Sequence, residues 1–133
     1  MKKLFTTPLT PISWGELIDK MTILEIKLIK IKSLDAQSNI KKELGYLNEI
    51  IKNNIGVSEL IKEIKPKLLD VNMQLWLVED DIRNKELKQE FDRDFIELAR
   101  RVYKLNDERA KIKKQISKML LSELIEEKSY ENY

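Results

Sequence analysis

Cysteine and histidine are both missing from this 133-residue chain. Without Cys there is no disulfide and no thiolate metal site, and nothing points to an oxidising compartment. Without His the commonest general base and the commonest metal ligand are gone, which excludes His-based triads and zinc-hydrolase chemistry. Three Gly and three Pro leave little material for the tight turns of an all-β fold. Neither charge sign dominates: 25 basic and 23 acidic residues give a net +2, so bulk charge does not point to nucleic acid or a membrane surface. No apolar run reaches the length of a membrane span. Thr6, Thr7 and Pro8 interrupt the apolar stretch that a signal peptide would need after Lys2 and Lys3. The default expectation is a cytoplasmic protein with no cofactor. Any catalysis would have to rest on carboxylates, Lys, Arg, Tyr or bound Mg²⁺.

What is present is apolar periodicity in a highly charged chain, 42% hydrophobic and 36% charged, of a length that suits one domain. Pro8 and Pro11 mark residues 1–12 as an extended arm. Ser13 and Glu16 then have capping-box spacing. A first helix over about 14–34 follows on the seam Leu17, Met21, Leu24, Leu28 and Ile31. Ile23 and Ile26 make its back apolar as well, so neighbours are expected on two sides, from the same chain or from a second subunit of a homodimer. A second helix over about 36–53 carries Ile40, Leu44, Leu47 and Ile51. Gly56 suits a left-handed stop, and Ser58 can cap the next helix.

The third helix, about 59–85, uses Ile64, Leu68, Val71, Leu75, Val78 and Ile82, with Pro66 predicting either a kink or a later start. The fourth, about 92–121, runs from Phe95 to Met119, and the tail 122–133 either extends it or folds back. The fold class is all-α: a single-domain, four-helix, largely antiparallel bundle with an N-terminal arm and a short C-terminal tail.

Helical angles place polar residues on the apolar stripes. Asn72, Trp76, Glu79 and Arg83 form one strip beside the third helix's seam, while Asp80 and Asp81 turn away. Arg109 takes a seam position on the fourth helix, with Asn106 and Lys113 beside it. Glu25 lies inward on the first helix, and Asp19 falls on the far side. Unpaired buried charges cost several kcal/mol, so these groups must meet each other, a ligand or water. The residues favour an internal salt-bridge network that fixes helix register. The sharper alternative is a pocket whose Arg83, Arg109 and Lys113 hold an anionic, phosphorylated or sugar-nucleotide ligand.

A rival of a different class is a Mg²⁺-dependent all-α nucleotide pyrophosphohydrolase built on Glu16, Asp19, Glu79 and Asp80, since Mg²⁺ needs no His. The doubled Glu-Glu pattern of such enzymes is absent. The basic run from Arg100 to Lys118 is interleaved with acids and scatters around its helix, a pattern of solvated faces rather than of a nucleic-acid surface.

Pro11-Ile12-Ser13, Gly15-Glu16-Leu17, Asp19-Lys20 and Thr22 to Lys27 resemble the opening of an uncharacterised family of small bacterial helical proteins. Leu75-Trp76 with Glu79 to Arg83 looks like the family's central motif. Val102-Tyr103, Asn106-Asp107, Arg109-Ala110 and the closing Ser122 to Tyr130 are similar to its end. The likeness covers nearly the whole chain. The resemblance implies a domain of unknown function, often encoded near glycosyltransferase and surface-polysaccharide genes. That context suggests a binding or assembly module accessory to surface-polysaccharide biosynthesis, and no catalytic residue comes with it.

Overall fold

Ser13 starts the first helix as its spacing predicts. The computed structural model describes residues 5–132, so the first four residues of the expected arm and Tyr133 of the tail lie outside the described part. The Ser13 hydroxyl accepts the Glu16 N–H at 3.1 Å and caps α1 (Trp14–Lys30). The other half of the capping box is not used, because the Glu16 carboxylate turns to Lys113.

α1 stops at Lys30 rather than near Leu34. Ile31 is extended, and its carbonyl accepts the Gln37 side-chain amide at 3.0 Å. Ser33 then caps α2 (Leu34–Lys52) through the Ala36 N–H. A hydroxyl able to cap a new helix offers the backbone an alternative to extending the old one, and here it wins.

The third predicted helix is in fact two. Gly56 has the left-handed φ of +93° expected of it, but it stands directly ahead of a short α3 (Val57–Leu60). Ser58 lies inside that turn, which has no side-chain cap. Pro66 sits in the first turn of α4 (Lys65–Leu87), where its missing N–H costs nothing, so it marks a start and not a kink. α5 (Arg93–Met119) is capped by Asp92, which accepts the Phe95 N–H at 3.0 Å. Lys85 ties the α4–α5 turn by donating to Glu90 and Asp92 at 3.1 and 2.9 Å.

Among the described residues the fold is all-helical, with five helices where four were expected, the short α3 being the addition. α1 is the shared element, packing against α2, α4 and α5. Its seam residues Leu17, Ile18 and Met21 meet Val57 and Ile61 from the α3 region, Leu68 of α4 and Ile116 of α5. A second apolar cluster, Val71, Leu75, Val78 and Leu105, joins α4 to α5, and Ile112 touches both clusters. Of the two residues expected at the back of α1, Ile26 is fully buried within the chain, while Ile23 is only partly buried. No helix among the described residues is long and apolar enough to cross a membrane.

Gly15 explains how closely α1 meets α5. It is buried, its N–H donates to Ser117 Oγ at 3.0 Å, and a methyl group there would overlap the Lys113 carbonyl. Beyond α5, Leu121 takes φ +52°, and Ser122 N–H donates to the Ser117 carbonyl at 2.7 Å. The tail therefore folds back along α5 instead of lengthening it.

Candidate functional site

A strip of α1 at steps of four, three and four, Gly15, Asp19, Thr22 and Ile26, faces α4 and α5 and is wholly buried. This places Asp19 inside the molecule. The expectation that it faces the far side is wrong, because the back of α1 is itself an interface. Its carboxylate accepts from Arg109 Nε at 2.9 Å, from Arg109 Nη2 at 2.6 Å and from Asn72 Nδ2 at 2.9 Å. This is a bidentate guanidinium–carboxylate pair with an amide completing it, joining three helices at one point.

Burial pushes the Asp19 carboxyl up, but the bonds from Arg109 and Asn72 and the charges of Arg109 and Lys113 outweigh it, leaving it below the usual carboxylate range. The bond to Asp19 likewise holds Arg109 above its ordinary value. Burial pushes Lys113 down, and its bonds to Glu16 and Glu126, at 2.7 and 2.9 Å, more than restore it.

Asn72 is fixed by the same cluster. Its amide also donates to Thr22 Oγ1 at 2.9 Å, and Thr22 in turn donates to the Asp19 carbonyl. Both N–H groups being used, its carbonyl oxygen is left as an acceptor. No buried side-chain polar atom among the described residues lacks a partner, so that oxygen reaches accessible space. Arg109 donates to Asn106 Oδ1 at 3.4 Å as well. Three of the five N–H groups of a guanidinium are then engaged, and two remain.

Beside this lock, α1, α4 and α5 leave a partly open cleft of about 460 Å³. Ile23, Ile26 and Leu75 supply its apolar surface, and Trp76 is its aromatic wall. Asn72, Asn106 and Arg109 line it from the lock, and Glu79, Asp80 and Arg83 from along α4. Glu79 and Arg83 form a loose i,i+4 pair at 3.6 Å, with the Arg83 side chain 79% exposed. Asp80 has no ion-pair partner among the described residues and reaches the cleft despite its expected outward angle.

Of the residues singled out in the sequence, the cleft brings together Asn72, Trp76, Glu79, Arg83, Asn106 and Arg109. Two lie elsewhere. Glu25 pairs with Lys65 at 2.8 Å, and Lys113 serves Glu16 and the tail. Asp19 was missed as a partner of Arg109, although its place on the strip with Ile26 was the signal.

Of the carboxylates of the Mg²⁺ reading, Glu79 and Asp80 line the cleft, whereas Glu16 and Asp19 do not. Among the described residues no group of three or more Asp or Glu side chains could hold a metal ion. Glu16 is taken by Lys113, Asp19 by Arg109 and Asn72, and Glu79 by Arg83. Three of the four acids of the hydrolase reading, Glu16, Asp19 and Glu79, thus face a cation of their own, and Asp80 has no ion-pair partner among the described residues.

A family model described as a family of unknown function (DUF6165) matches residues 9–133, and the chain belongs to that family. Comparison with curated proteins gives no match, and neither does comparison with solved structures.

Proposed function

We propose that this member of DUF6165 is a binding module whose cleft between α1, α4 and α5 takes a hydroxyl-rich ring: a sugar, free or as the sugar part of a nucleotide. The observation that carries the reading is the set of groups around Trp76. A sugar ring offers a face of C–H groups and a rim of hydroxyls. The indole meets the face, the carboxylates of Glu79 and Asp80 and the Asn72 oxygen accept from hydroxyls, and the spare Arg109 N–H groups donate to them. Asp19 holds Arg109, and Asp19 and Thr22 hold Asn72, so these two polar groups are ordered before any ligand arrives.

Net charge is not the recognition element. Arg109 and Lys113 are already matched by carboxylates, and Arg83 is the cation best able to leave its partner for a phosphate. A cytoplasmic accessory role in surface-polysaccharide biosynthesis would suit a cleft of this kind.

The test is a thermal-shift series with glucose, glucose 1-phosphate and UDP-glucose on the native protein and on Trp76→Ala. A ligand at 100 times its Kd adds about 2.7 kcal/mol, a midpoint rise on the order of 10 °C for a chain of this size. The expected outcome is a saturable rise that Trp76→Ala abolishes. No rise with any probe, or a rise that the variant keeps, overturns the reading.

A further inference from the structure

The returning tail builds a second cavity. Glu126 and Glu127 bond Lys113 and Lys114 at 2.9 and 3.3 Å, and the Trp14 N–H donates to Ser122 Oγ at 2.8 Å, which holds residues 122–127 against α5 and the start of α1. Farther along, Lys128, Tyr130 and Glu131 face Val102, Tyr103 and Asn106 across a space of about 540 Å³. Tyr130 is 73% exposed, a large ring held at the surface with Lys128 Nζ 6.0 Å from its centroid.

Asn106 lines this cavity and the Trp76 cleft alike, so the two share a wall on α5. Each has an aromatic surface, Trp76 on one side and Tyr103 with Tyr130 on the other, and acceptor groups near it. Each is also of a size that holds a small ring with its substituents.

We propose that the two cavities are subsites of one site, and that its ligand carries a further ring, joined to the sugar past Asn106. The first, a sugar, lies on Trp76, and the second lies against Tyr103 and Tyr130. A disaccharide and a nucleotide sugar share that chemistry. The inference rests on the reading of the Trp76 cleft as a sugar site and adds the tail to it. The tail ion pairs then serve binding as well as packing, since they fix the segment that carries Tyr130.

Calorimetric titration with glucose, cellobiose and UDP-glucose, on the native protein, Tyr130→Ala and Trp76→Ala, tests it. Losing an aromatic platform costs about tenfold or more in affinity. Cellobiose, UDP-glucose or both are expected to bind about tenfold tighter than glucose. Tyr130→Ala should remove that advantage and leave glucose binding unchanged, and the probe that shows the advantage identifies the second ring. If neither cellobiose nor UDP-glucose binds tighter than glucose, or if the advantage survives Tyr130→Ala, the inference is overturned. In that case glucose binding that still depends on Trp76 leaves the single-ring reading standing. Absence of binding by all three probes overturns both.

Discussion

Replacing Asp19 by Asn should cost about 3 kcal/mol of folding stability. The two side chains are nearly equal in size, so no cavity opens and the loss isolates the charge. In the native protein the carboxylate, 1% exposed, takes two bonds from Arg109 and one from Asn72, with Lys113 at 3.9 Å. An amide has one acceptor oxygen, and its NH₂ would face a donor of Arg109 or Asn72. Breaking a buried ion pair costs about 3–5 kcal/mol. The Arg109 side chain keeps 29% exposure and can recover some hydration, which places this case at the low end.

Urea denaturation reads the change. With an m-value of about 1.5–2 kcal/mol per M, the midpoint should fall by about 1.5–2 M. Acid supplies a second signature. The folded pKa of Asp19 lies below its ordinary value of 3.8, so its contribution is fully present above that value and is lost as pH falls through the folded one. The stability gap between native protein and variant should be flat from about pH 8 to 5 and should close only in stronger acid. A midpoint shift below about 0.5 M, or a gap that persists unchanged in acid, refutes the reasoning.

Two further substitutions test the packing. Gly15→Ala should destabilise by about 2 kcal/mol or more, because the added methyl overlaps the Lys113 carbonyl on α5 and backbone must move; a calorimetric midpoint equal to the native one would show that the helices are not so close. Leu121→Gly should stabilise by about 0.5 kcal/mol, since Leu pays for φ +52° while its side chain is 89% exposed. A lowered urea midpoint would mean that Leu121 makes a contact that matters.

The helices were readable where a single face decides burial. The seams Leu17–Met21–Leu24 and Leu68–Val71–Leu75–Val78 are buried as their spacing requires. Boundaries were readable where a cap is local, at Ser13 and Asp92. They were not where two signals compete, as at Ile31 to Ser33, or where a helix ends on a positive φ without glycine. Gln89 (φ +56°) and Leu121 both close helices in this way, with N–H groups of Glu90 and Ser122 reaching back to Lys85 and Ser117. Composition carries no trace of that choice.

The candidate site was half readable. Asn72, Trp76, Glu79 and Arg83 share a strip because helical angles say so, and they do line one cleft. Which acid would hold Arg109 depended on how α1 sits across α4 and α5. That arrangement turns on both faces of α1 being buried, and one helix's periodicity cannot rank two apolar faces. The tail's place on α5 was open for a similar reason: ion pairs such as Glu126–Lys113 join residues whose proximity no helical period encodes.

Side-chain resonances of the cleft give the most direct test of the proposed role. In a titration of ¹⁵N-labelled protein with UDP-glucose to about 10 mM, enough to detect even a millimolar Kd, the Trp76 indole N–H and the Asn72 and Asn106 side-chain amides should shift together along one saturable curve. The Trp14 indole, which packs against the core at the other end of α1 from Ile26, should stay in place. Shifts that centre on Trp14, or none at the three cleft groups at saturating probe, would contradict the account.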